Sequence, residues 1–203
     1  MNKYFLLVAL CVVSSACHSS KVEPRSAAAP APATKEPVYK PGLQPTEAEL
    51  REAIKRNYED AVTIDNNRSQ HFLVGDFNGD KSEDIAVVVR PGKGKLRELN
   101  GEYVNWILDD LHRPKAISIG SSDVLLAVIH GHEREGWRNT MARQTYLLKN
   151  AVGDEFMKQA GRELNKNNKA LPRLLGDVIR EKLDGTAGII FWTGAKYAWH
   201  PVI

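Results

Sequence analysis

Two short stretches of this 203-residue chain carry side chains whose types and spacing suit chemistry. The first is Asp76-Phe77-Asn78-Gly79-Asp80-Lys81-Ser82-Glu83-Asp84, with oxygen-bearing side chains at the first, third, fifth and ninth places and the Ser82 carbonyl at the seventh. A hard cation such as calcium takes six to eight oxygens at about 2.3 to 2.6 Å, and one tight turn with this spacing delivers several of them. Without a compensating charge, Asp76, Asp80 and Asp84 repel one another. A bound cation or the Lys81 ammonium supplies that charge, or the segment is a hydrogen-bonded Asx turn joining two strands. The second stretch is His130-Gly131-His132-Glu133-Arg134-Glu135. If the strand before it runs on, His130 and His132 share a face, with Glu133 or Glu135 as a further ligand or general base, the donor set of a metal-dependent hydrolase. Gly131 and Gly136 argue instead for a polar loop already turning at the strand end.

Val74-Gly75-Asp76-Phe77-Asn78-Gly79-Asp80, followed by Asp84-Ile85-Ala86-Val87, resembles the calcium loop of FG-GAP or VCBS repeats. The resemblance implies side-chain ligands at Asp76, Asn78, Asp80 and Asp84, a carbonyl from Ser82, and calcium as the cofactor. The family pattern has Gly after the third ligand, where the chain turns with positive φ. Here that residue is Lys81, for which the conformation costs on the order of 1 kcal/mol. The place where an EF-hand needs a bidentate Glu is Val87, so the loop is not an EF-hand. A propeller needs several copies of the motif and one is present, so the fold expected is not a propeller.

Other chemistry is excluded or unsupported. The two cysteines are Cys11 and Cys17, so the chain from Thr46 onward has no disulfide, thiolate site or cysteine nucleophile. No GxSxG elbow, HExxH helix, Walker loop or glycine-rich dinucleotide loop appears, which leaves no positive case for an enzyme. Of 28 Lys and Arg, five precede Thr46, and of 25 Asp and Glu, two do, so both signs leave 23 for the remainder. A neutral domain lacks a nucleic-acid footprint, and Arg90, Lys93, Lys95 and Arg97 read as a solvated loop. Phe191, Trp192, Tyr197 and Trp199 could stack on a glycan, but alternation divides them between two faces, as core and cross-strand pairs require.

Residues 1–16 have the layout of a cleaved export signal: Lys3, the apolar run Tyr4 to Val13, then Ser14, Ser15 and Ala16 before Cys17. The run is about half the length of a membrane-spanning helix. Ser14-Ser15-Ala16-Cys17 resembles a lipobox, with Ser14 where Leu is usual. Lipidation of Cys17 is therefore expected, and ordinary cleavage after Ala16 is the alternative. His18 after the cysteine resembles outer-membrane sorting, so the expected location is the cell envelope with a lipid in the outer membrane. The alternative is a secreted or periplasmic soluble protein. Residues 17–45 form a Pro/Ala-rich tether reaching roughly 80 Å at about 3.1 Å per residue. The partners expected are the membrane through that lipid, and an envelope protein or glycan.

The segment 46–203 must position the two stretches. Thr46 with Glu49 is a capping box, and Leu50, Ile54 and Tyr58 recur at helical spacing. His71 to Val74 and Ile85 to Val89 are strands flanking the Asp-rich turn, with further strands at Asp123 to His130 and Thr145 to Leu148. Val104, Ile107, Leu108 and Leu111 fit a helix by spacing, and Tyr103 to Leu108 fits a strand. Asp177 to Leu183, Gly188 to Trp192 and Lys196 to Val202 read as a three-stranded meander turning at Asp184-Gly185 and Thr193-Gly194. The expectation is one α+β domain, largely antiparallel, with an N-terminal helix and that meander. Its function is expected to be an envelope-tethered, non-enzymatic interaction or structural module, with a hydrolase at His130, His132 and Glu133 as the alternative.

Overall fold

A computed structural model describes residues 42–101, 104–113, 117–167 and 170–202. The segments expected to form an export signal and a tether, with Cys17, lie outside the described residues up to residue 41, as does Tyr103.

The domain opens with α1 (Glu47–Tyr58), whose Thr46 cap accepts the Glu49 N–H while Glu49 Oε2 takes the Thr46 N–H at 2.7 Å. Such a reciprocal cap is worth about 1 kcal/mol. Leu50, Ala53, Ile54 and Tyr58 face inward from it. The chain then forms β1 (Val62–Ile64), β2 (Phe72–Gly75), β3 (Asp84–Pro91), α2 (Leu96–Leu99), β4 (Ile107–Asp110), β5 (Leu125–Ile129) and β6 (Thr145–Lys149). The first sheet runs β1-β3-β5-β6-β4, with β2 also on β3. After β7 (Phe156–Gln159) and α3 (Gly161–Asn167), the strands β8 (Val178–Leu183), β9 (Thr186–Trp192) and β10 (Tyr197–Pro201) complete a second sheet in the order β10-β9-β8-β7. Neither sheet closes, and every pairing is antiparallel except β4 with β6.

Three apolar clusters follow from strand alternation. Val87, Val89, Leu125 and Ala127 face α1, whereas Ala86, Val88, Leu126 and Val128 face Ile179, Ile190 and Trp192 of the second sheet. Phe191 joins Val178, Ile189 and Leu174 on the far side of that sheet. The expected division of Phe191 from Trp192 is therefore observed, with Tyr197 in the cluster between the sheets.

The helix that spacing allows through Val104, Ile107, Leu108 and Leu111 is corrected to strand. Ile107 to Asp110 pair in parallel with Tyr146 to Lys149, and the backbone partners offered by β6 outweigh the helical recurrence of four apolar residues. The strand expected from Asp123 is shorter, ending at Ile129. In the basic stretch, Lys95 pairs with Asp60 and Glu98, and Arg90 with Asp65.

Candidate functional site

The Asp-rich turn connects β2 to β3. Register pairs Gly75 with Asp84, so everything between them must reverse within a few residues. Asp76 does most of this, Oδ1 accepting the Gly79 N–H at 2.8 Å and Oδ2 the Lys81 N–H at 3.0 Å. Asn78 Oδ1 accepts the Asp80 N–H, and Asp80 Oδ1 accepts that of Ser82. Lys81 has φ 73°, the left-handed conformation that the Gly of the resembled loop adopts. Among the described residues, no carboxylate comes within ion-pair reach of its ammonium.

Asp84 behaves differently. Its side chain is fully buried, Oδ2 accepting the N–H groups of Phe77 and Asn78 at 2.7 and 3.2 Å, and Oδ1 that of Gly131 at 2.7 Å. Burial nevertheless pushes its carboxyl up to about 7. That third bond ties the turn to the His130 stretch. Ser82 Oγ donates to the Glu133 carbonyl at 2.8 Å, and the Trp137 N–H donates to the Glu83 carbonyl at 2.7 Å. Gly131 is required by proximity, because a Cβ there would collide with the Glu83 carbonyl. The two stretches singled out by sequence thus meet at one junction.

A third segment closes on the turn from the second sheet. The Asp177 N–H donates to the Asp76 carbonyl at 2.6 Å, and Asp177 Oδ2 accepts the Asp76 N–H at 3.3 Å. Gly176 lies so close that a Cβ would strike the Asp76 carbonyl. Burial raises the Asp76 carboxyl above its ordinary value, the N–H groups of Gly79 and Lys81 oppose this, and the charges of Asp80 and Asp177 raise it further. Lys158 Nζ stands 3.4 Å from Asp177. Sequence reasoning missed Asp177 because it lies 101 residues from Asp76, and no local pattern marks it.

All donors of the turn are hard oxygens, which suits calcium. The carboxylate oxygens of Asp76 and Asp80, the amide oxygen of Asn78 and Asp84 Oδ1 each accept a single bond, retaining a lone pair, whereas Asp84 Oδ2 accepts two. Among the described residues, the acid triple whose ligand atoms lie within 4.8 Å of one another is Glu59, Asp60 and Glu98. Lys95 Nζ lies 2.6 Å from Asp60 and 3.1 Å from Glu98, so this cluster has its own counter-charge.

Among the described residues, neither His130, His132 and Glu133 nor Asp76, Asp80 and Asp84 bring their ligand atoms within 4.8 Å of one another. His130 is buried, its Nε2 2.8 Å from the Tyr197 hydroxyl and its ring packed against Tyr146 and Trp192. Burial lowers it to about 4, so it is neutral at physiological pH. His132 stands half-exposed beyond the turn, its Nε2 3.8 Å from Glu133 Oε1. Two open grooves flank the junction. One of about 620 Å³ lies between Asp80 to Ser82 and Gly131 to Glu135, and one of about 1100 Å³ runs along β2 from Gln70 to Asp76.

A second buried acid also went unread. Glu181 on β8 is fully buried, with Oε1 accepting from Trp199 Nε1 and standing 3.8 Å from His112 Nε2. Among the described residues Glu181 Oε2 and His112 Nε2 each lack a hydrogen-bond partner, and burial drives the acid up to about 7 and the His112 ring below its ordinary value. No nearby groove adjoins them among those flanking the turn. No family model, curated protein or solved structure matches the chain, so the FG-GAP resemblance rests on the turn alone.

Proposed function

We propose that this chain is an envelope-tethered, non-enzymatic interaction or structural module, in which a calcium-type cation braces the Asp-rich turn. One observation carries the reading. Asp76 and Asp80 lie in one turn where the charge of Asp80 raises the Asp76 carboxyl, and the turn's own lysine, Lys81, takes the left-handed conformation yet pairs with neither among the described residues, while Lys158 pairs with Asp177. A cation held by Asp76, Asn78, Asp80 and the Ser82 carbonyl would relieve that repulsion. It would also fix the three segments that meet there. The buried His130 spends its Nε2 on Tyr197 and, among the described residues, joins no group of three ligand atoms within 4.8 Å of one another, which gives the hydrolase alternative no support.

Thermal unfolding with calcium and then with chelator tests this, comparing wild type with Asp80→Ala. A ligand of the folded state at a hundredfold excess over Kd adds about 2.7 kcal/mol, so the wild-type midpoint should rise, return with chelator, and stay flat in the variant. A midpoint indifferent to both additions in wild type removes the cation.

A further inference from the structure

The chain holds the dipeptide Asn-Gly twice, at Asn78-Gly79 in the Asp-rich turn and at Asn100-Gly101 after α2. In such a pair the side-chain amide is open to attack by the next backbone nitrogen, because glycine carries no Cβ to shield that nitrogen. The two copies are held by different chemistry. Asn100 Nδ2 donates to the carbonyls of Leu96 and Ile119 at 2.8 and 3.0 Å, and its Oδ1 accepts the Ile119 N–H at 2.7 Å. The Gly101 N–H goes to the Glu98 carbonyl at 2.9 Å. Every acceptor there is a peptide carbonyl, which accepts a hydrogen bond but does not take a proton near neutral pH.

Around Asn78 the acceptors are carboxylates. Asp76 Oδ1 accepts the Gly79 N–H at 2.8 Å, which puts a base on the nitrogen that would attack. The Asp80 N–H donates to Asn78 Oδ1 at 2.9 Å, so the oxygen that gains negative charge in a tetrahedral intermediate already faces a donor. Asp80 Oδ2 accepts from Asn78 Nδ2 at 2.8 Å and holds the nitrogen that would leave. With a donor on one atom of the carboxamide and an acceptor on the other, its orientation is fixed. The bond to the Asp80 N–H also folds the carboxamide back across the Gly79 peptide. Gly79 stands exposed, within reach of water.

We infer that Asn78-Gly79 is a site of self-catalysed deamidation, with Asp76 as general base and the Asp80 N–H as the donor to the developing oxyanion. The Gly79 nitrogen gives its proton to Asp76 and forms a bond to Asn78 Cγ. The Cγ–Nδ2 bond breaks, and that nitrogen takes up a proton in turn and leaves as ammonia. Water then opens the five-membered imide, at one carbonyl to aspartate and at the other to isoaspartate. The first product adds a carboxylate at the third place of the turn, and the second lengthens the backbone there by one methylene. The inference uses the turn's own atoms and does not rest on the cation.

The test incubates the full chain at neutral pH in chelator, which keeps the proposed cation out of the outcome. Both dipeptides are followed by peptide mass spectrometry, with aspartate and isoaspartate separated by chromatography. Asn78 should deamidate at least about tenfold faster than Asn100, and at least about tenfold faster in the folded chain than in the same chain unfolded in guanidinium chloride. Asp76→Asn keeps an oxygen for the Gly79 N–H and removes the base, so it should erase that advantage, with circular dichroism checking its fold. The comparison of folded with unfolded wild type depends on no variant. Asn78 that survives in the folded chain and deamidates once unfolded would overturn the inference, by showing that these bonds only protect it. Equal rates at Asn78 and Asn100, or an undiminished rate in folded Asp76→Asn, would do the same. The thermal midpoint of the same sample in calcium reports the cation separately, so either reading can fail alone.

Discussion

Asp84 and Glu181 are both fully buried carboxyl groups, and burial pushes both up to about 7, yet their surroundings differ in kind. Asp84 meets three backbone N–H groups drawn from two segments, so its oxygens hold the Asp-rich turn against the loop after β5. Glu181 has one oxygen bonded to Trp199 and the other without a partner among the described residues, beside a histidine whose facing nitrogen likewise lacks one among them. The lesson is that burial alone does not tell a structural carboxyl from a strained one. The number of donors aimed at it does.

That contrast can be broken from either end. Asp84→Ala should be the more damaging change, since it strands the buried Phe77 N–H and the part-buried N–H groups of Asn78 and Gly131 and uncouples two loops. A loss of about 3 kcal/mol or more is expected by urea unfolding. Glu181→Gln should behave in a pH-dependent way. A carboxyl whose folded pKa of about 7 exceeds its unfolded value holds its proton more tightly when native, so its contribution is complete below the unfolded pKa and is lost as pH rises through 7. Glutamine does not ionise. The variant should therefore gain on wild type between pH 5 and 8, by about 3 kcal/mol at most at ~1.4 kcal/mol per pKa unit. His130 and His112, both lowered, contribute the opposite slope in acid, where the unfolded rings bind protons first. Comparing variant with wild type at each pH cancels that slope. The smallest effect belongs to Lys81→Gly, which relieves the left-handed strain and should stabilise by up to about 1 kcal/mol, unless the ammonium acts where no ion pair is seen.

The elements with a local signature were legible in the sequence. The cap at Thr46, the strands on either side of the Asp-rich turn and the meander with its turns at Asp184 and Thr193 stand where spacing placed them. β1, β4 and β7 were not, because three or four residues hold too little alternation to outweigh a competing pattern. Within the junction, the turn's internal bonds follow from residue types two to five places apart. Its attachments do not. Asp84 reaches Gly131 across 47 residues, and Glu181 reaches Trp199 only because β8 and β10 flank β9. His130 and His132 look equivalent in the chain, but the strand ends at Ile129, leaving one ring under the sheet and the other half-exposed.

If the aspartates of the β2–β3 turn hold a cation, isothermal titration of calcium into the full chain will register it. One saturable site should appear in wild type and vanish in Asp76→Asn with Asp80→Asn, while Asp60→Asn leaves it intact. Absence of binding heat in wild type, or heat undiminished in the paired asparagine variant, would contradict the account.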